Sequence, residues 1–155
     1  LPVSSYRNGG TIVSLADERQ RRREHLTAVV RSVLVADALS DERWKTLAVV
    51  FSISDGGRNF GNGGYAYGAD GQWWAFSCSV EDVKPAVIAF LGDSNQGVPQ
   101  ALCRVLLQYD RGSQRARLVS EIDTPERWSI TAGTARTMIR ELRPNFDNFA
   151  GSTSA

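Results

Sequence analysis

Histidine is almost missing from this chain: His25 is the single one among 155 residues. Two histidines therefore cannot share a metal ion, and a Ser/His/Asp arrangement would have to draw His25 out of the charged run "ERQRRREH". Cysteine is nearly as scarce. Cys78 and Cys103 form no Cys-x-x-Cys pair, and no His/Cys group has zinc-ligand spacing. Both lie in apolar, strand-like runs, so buried free thiols and a reducing cytoplasm are expected, with a disulfide as the alternative. No apolar run approaches the roughly 20 residues of a membrane helix. The start "LPVSSYRNGG" has no basic region followed by an apolar one, although a chain beginning at Leu1 is compatible with an export signal removed upstream. No serine stands in a Gly-x-Ser-x-Gly elbow. The expectation is a protein without catalytic residues, metal or cofactor, and not an enzyme.

What is present describes one globular domain over 1–155, with 42% apolar and 23% charged residues. The net charge is +1, unevenly spread. Residues 41–100 hold four Lys/Arg against seven Asp/Glu, a net −3, while the segments on either side are each +2. The acidic middle is the part suited to a basic partner.

Residues 1–13 read as a loose arm and 147–155 as a flexible tail. Leu26, Val29, Val30, Val33 and Leu34 share one face of a helix over about 15–38. "RWKTLAVVFSIS" (43–54) alternates as a strand, and "GGYAYGADGQWWAFSCS" reads as two more strands joined at Asp70-Gly71, a type I′ pair. Pro85 belongs in the first turn of a second helix, which puts the cap near Glu81 or Asp82. Two strands, 101–110 and 115–123, follow with a turn at Arg111-Gly112. Thr131 caps a last helix, which Arg143-Pro144 ends. The order α-β-β-β-α-β-β-α predicts an α+β domain: an antiparallel five-stranded sheet with helices packed on one side.

Five glycines crowd between residues 56 and 64. Gly61-x-Gly63-x-x-Ala66 matches a relaxed dinucleotide fingerprint, but that turn must open a helix, and "YAYGADGQWW" alternates like a strand. A P-loop needs a lysine, and none lies between Lys45 and Lys84. The stretch reads instead as a long flexible hairpin loop carrying Arg58, Asn59 and Phe60 to a partner. Adjacent Trp73 and Trp74 must point to opposite faces of the sheet, one toward the core. The run Arg19 to Arg23 reads most simply as a solvated helix face.

Several stretches together resemble a known family. They are "WKTLAVVFSISDGG" from Trp44 to Gly57, the aromatic hairpin after it, and "DTPERWSIT" followed by "ELRP", from Asp123 to Pro144 with Trp128. Behind an N-terminal helix, this pattern resembles the YezG-like antitoxin and immunity proteins of bacteria over most of residues 15–146. The resemblance implies a small cytoplasmic inhibitor with no catalysis and no cofactor. Such proteins bind the toxic C-terminal domain, often a nuclease, of a secreted polymorphic toxin. On that reading the toxin-binding residues are Asp55, Arg58, Asn59, Phe60, Tyr65 and Tyr67, with Asp70 and Trp73. Two other readings stand beside it. One is a nucleic-acid-binding or regulatory module using Arg19 to Arg23 with Arg111, Arg115 and Arg117. The other is an enzyme with a small ligand near the glycine-rich stretch.

Overall fold

The computed structural model describes residues 5–8, 11–94, 97–146 and 153–154, the backbone alone at 5–8, 11–13 and 153–154. The N-terminal arm is in part a paired ribbon: β1 (Ser5–Asn8) and β2 (Thr11–Ser14) lie antiparallel, with Ser5 opposite Ser14. The expected tail lies outside the described residues except for Thr153 and Ser154.

Helix α1 (Leu15–Leu34) begins where the Ser14 side chain accepts a hydrogen bond from the Asp17 amide at 3.1 Å, and Asp17 and Glu18 place negative charge on its positive end. It is shorter than the periodicity predicts. Ala36 turns extended, Asp37–Ser40 form a short 3₁₀ turn, and the indole N–H of Trp44 donates to the Leu39 carbonyl at 2.9 Å. A local side-chain hydrogen bond from a buried tryptophan here outweighs four residues of helix propensity.

The main sheet comprises β3 (Thr46–Ser54), β4 (Asn59–Tyr67), β5 (Trp73–Phe76), β6 (Cys103–Asp110) and β7 (Arg115–Glu121), in the spatial order β5-β4-β3-β6-β7, all neighbours antiparallel. β8 (Thr153–Ser154) adds two residues along β7. This is the predicted α+β domain with its antiparallel five-stranded sheet; the sequence predicts the order of the strands along the chain and not their order across the sheet. Asp70 and Gly71 both take positive φ (54° and 80°), the type I′ turn that their pairing predicts.

Alternation along β3 divides the core. Leu47, Val49, Phe51 and Ile53 face α1 and α2 (Val80–Ser94), meeting Val29, Val33, Val83, Val87 and Leu91. Ala48 and Val50 face the other way, with Tyr65, Tyr67 and Leu106, and meet Trp128, Met138 and Leu142. One-sided helix packing therefore holds for α1 and α2 and not for α3 (Ala135–Glu141), which lies on the second face. Two hydrogen bonds hold it there. The Tyr67 hydroxyl donates to the Ile139 carbonyl at 2.7 Å, and the buried Gln108 amide donates to the Leu142 carbonyl at 2.9 Å. Both satisfy carbonyls that a helix C-terminus leaves unpaired.

Two further boundaries differ from the sequence reading. α2 starts at Val80, and the carbonyl of the preceding Ser79 accepts from the amides of Asp82 and Val83, so Pro85 lies in the second turn. Glu81 and Pro85 are both exposed, so the carbonyl that loses its donor faces water. Thr131 caps from one turn upstream: its hydroxyl accepts from the Thr134 amide at 3.2 Å, and its carbonyl accepts from the Ala135 amide at 2.9 Å. Among the described residues, no helix is long and apolar enough to cross a membrane.

Candidate functional site

The glycine-rich stretch is not a long loop. Asp55–Gly57 make a tight turn, and the chain then runs as a regular nine-residue strand from Asn59 to Tyr67. The turn needs its glycines. Gly56 and Gly57 have φ of 65° and 103°, and a Cβ on them would press on Gln100 and Ile88. The turn is also tied down, because the amides of Asp55 and Gly56 donate to the carbonyls of Gln100 and Pro99. The partial dinucleotide fingerprint thus lies inside a strand, and no helix follows it.

In β4 the glycines have opposite roles on opposite faces. Gly64 points at β3, where a Cβ would overlap the Ala48 carbonyl oxygen and the Val49 backbone. Gly61 and Gly63 point to the second face, where a Cβ would meet nothing within 4 Å. α3 covers only the Tyr67 half of that face. Over the glycine half lies a cleft of about 350 Å³. Gly61, Gly63, Val50 and Ser52 form its floor, Tyr65 and Ala75 one wall, and Trp128, Ser129 and Ile130 the other. The second wall is carried by the 3₁₀ turn Pro125–Trp128, whose indole is buried.

Arg104 sits beside Ser52 on β6 and lines this cleft. Its Nε donates to the Ser52 hydroxyl at 3.1 Å, and Nη1 donates to the Pro125 carbonyl. Two of its five N–H groups are thereby fixed on neutral acceptors. Among the described residues no carboxylate reaches ion-pair distance of it, so the cation is oriented but not neutralised. The nearby carboxylate on the paired strand, Glu121, is engaged with Thr124 and Arg127, whose hydrogen bonds hold its pKa below the usual value. The lining thus combines hydroxyls, a guanidinium and aromatic surface, groups that bind and orient.

The eight predicted contact residues divide. Asp55, Arg58 and Asn59 are exposed at the β3–β4 turn, which adjoins the Gly61 end of the cleft. Trp73 is 48% exposed and meets Tyr65 edge-on with ring centres 5.9 Å apart, which puts it beside the cleft's other end. Asp70 is exposed at the far hairpin. Phe60 is half-buried on the opposite face, its ring 6.1 Å from that of Phe51. Tyr65 and Tyr67 are buried, and burial raises the pKa of both phenols. Tyr65 borders the cleft as a wall, whereas Tyr67 lies under α3. Of the tryptophan pair, Trp74 packs toward the core and Trp73 stays out.

Arg104, Trp128, Ile130 and the glycine floor were missed by sequence reasoning. Strand alternation could have pointed to the floor, since glycine at both 61 and 63 leaves one face of β4 without side chains. Cys78 and Cys103 are free and buried; burial pushes the Cys78 thiol up to about 11 and raises that of Cys103. Among the described residues, no three His, Cys, Asp or Glu side chains come together as a metal site would need. Comparison with protein-family models, with curated proteins and with solved structures finds no match.

Proposed function

We propose that this chain is an immunity protein: it binds the toxic C-terminal domain of a secreted bacterial toxin, expected to be a nuclease, and neutralises it by protein–protein contact in the producing cell's cytoplasm. The observation that carries this reading is the glycine-floored cleft beside an exposed tryptophan. A cleft of this size suits a few side chains of a partner, and a desolvated pocket near an aromatic anchor is where interface energy concentrates. Arg104 would receive a carboxylate or carbonyl from the inserted segment. Asp55, Arg58 and Asn59 would make the rim at one end, and Trp73 at the other. The acidic 41–100 segment would speed encounter with a basic nuclease surface. The element order also fits the resemblance carried by Trp44 to Gly57 and Asp123 to Pro144.

The test is co-expression with the C-terminal toxin domains encoded beside its gene, scored by survival and by co-purification. Rescue with a stable complex is expected, and Gly63→Leu should lose both. Toxicity without rescue or complex would overturn the reading. Rescue that Gly63→Leu leaves intact would move the contact away from the cleft.

A further inference from the structure

A second concavity lies at the other edge of the sheet. Arg19, Arg22 and Arg23 occupy positions i, i+3 and i+4 of α1 and so share one helix face. One turn later the same face carries buried Leu26, the start of the apolar stripe. Arg19, Arg22 and Arg23 are all exposed, as a solvated helix face predicts, and burial of that face begins at Leu26. They border a groove of about 470 Å³ shared with β7 and floored by Leu26 and Phe90, whereas Arg117 turns its side chain to the other face of the sheet, where Nη1 donates to the Gln108 side-chain oxygen at 3.4 Å. Three nearby acidic groups of α1 and α2 are engaged elsewhere. Glu18 bonds Arg21 at 2.9 Å, Glu24 bonds Gln20, and Asp93 bonds His25 at 3.0 Å. Among the described residues, no carboxylate reaches ion-pair distance of Arg19, Arg22 or Arg23. Three like charges within two turns repel one another, a cost that an anion in the groove would relieve.

We infer that this groove binds single-stranded nucleic acid, with the arginines on phosphates and a base against the apolar floor. Its side chains offer guanidinium donors and apolar surface, and no side-chain acceptor. The matching ligand is an anion with a flat apolar part. A phosphodiester carrying an unpaired base supplies both, since guanidinium groups fit phosphate oxygens in pairs and the face of a base fits the apolar floor. A peptide of Asp and Glu supplies the charge without the flat apolar part. A duplex is too wide for a groove of this volume, which leaves the single strand. The site is separate from the glycine-floored cleft and does not depend on the toxin-binding role.

The experiment is fluorescence anisotropy of the full chain with a labelled oligouridylate, an oligothymidylate and a labelled oligoglutamate peptide. Binding of the oligonucleotides is expected, with log Kd rising against log salt at a slope of roughly 2, as three neutralised phosphates on a single strand require. Reversing Arg19, Arg22 and Arg23 together to Glu should weaken binding by about tenfold or more, since each neutralised phosphate carries a share of the affinity. Reversing exposed Arg31, Arg136 and Arg140 to Glu makes the same charge change away from the groove and should leave most of the affinity. If circular dichroism shows the first triple variant unfolded, the triple Gln variant replaces it with the same expectation. No oligonucleotide binding at roughly 50 mM salt would overturn the inference. So would equal losses in the two triple variants, or tighter binding of the oligoglutamate.

Discussion

The Tyr67 hydroxyl donates to the Ile139 carbonyl at 2.7 Å, joining residues 72 positions apart. With Gln108 and Leu142, this contact attaches the last helix to a face of the sheet that the other helices do not touch. α3 spans only Ala135–Glu141, too short to hold its shape by propensity alone. Tyr67→Phe should therefore lower stability by about 1–2 kcal/mol, the cost of leaving a buried carbonyl unpaired. Urea denaturation measures the loss. The double variant with Gln108→Leu should lose less than the two single losses combined, since both act on one helix.

Gly63 and Gly64 are neighbours with opposite tolerance. Gly64→Ala places a methyl group against the β3 backbone, and a loss of at least about 2 kcal/mol is expected from strand displacement. Gly63→Ala meets open space and should change stability by less than about 1 kcal/mol, since glycine to alanine in a strand interior is mildly favourable. A pair of melting curves decides the matter; equal destabilisation would refute the facing described for β4.

Trp73 and Tyr65 touch but should behave differently. Tyr65→Ala removes a buried ring and should cost roughly 3–5 kcal/mol of stability. Trp73→Ala should leave the melting temperature nearly unchanged and weaken the proposed toxin complex by about 2 kcal/mol, the effect of losing an aromatic anchor. Calorimetric titration against the purified toxin domain measures the second effect.

Stability should decline at alkaline pH. The folded state keeps the Cys78 thiol neutral to about pH 11, against an ordinary 9.0, because the group is buried and Asp82 is near. Burial raises the Tyr67 phenol as well. The unfolded chain ionises first. The stabilisation is therefore complete below about pH 9 and is lost progressively as the pH rises towards 11. Denaturant midpoints across that window should fall, and Cys78→Ala should flatten the decline. Thiol reagents at neutral pH should modify neither cysteine in the native protein.

The α+β class and the order of strands along the chain were legible because β3 alternates cleanly and Asp70-Gly71 announces its turn. Differences lie where a side-chain contact outweighs local propensity. Trp44 turns the chain after α1 through Leu39, five residues back, and Tyr67 with Gln108 draws α3 to the second face, a partnership between distant residues that no local pattern carries. The glycine-rich stretch differs from expectation because its composition favours a loop, whereas pairing with β3 along its whole length, and with β5 from Gly64 onward, makes it a strand. In the candidate site, the turn residues and Trp73 were legible as exposed polar and aromatic groups. Arg104 was not, since only the pairing of β6 with β3 places it beside Ser52 and the glycine floor.

The bare floor at Gly61 and Gly63 has an evolutionary consequence. A single nucleotide change there can add a side chain to the cleft while the hydrophobic core stays as it was. Descendants could then exchange one partner for another in small steps without first acquiring a more robust scaffold. The adjoining Gly64 has no such latitude, so a lineage adapting to new partners should vary on one side of this strand and stay fixed on the other.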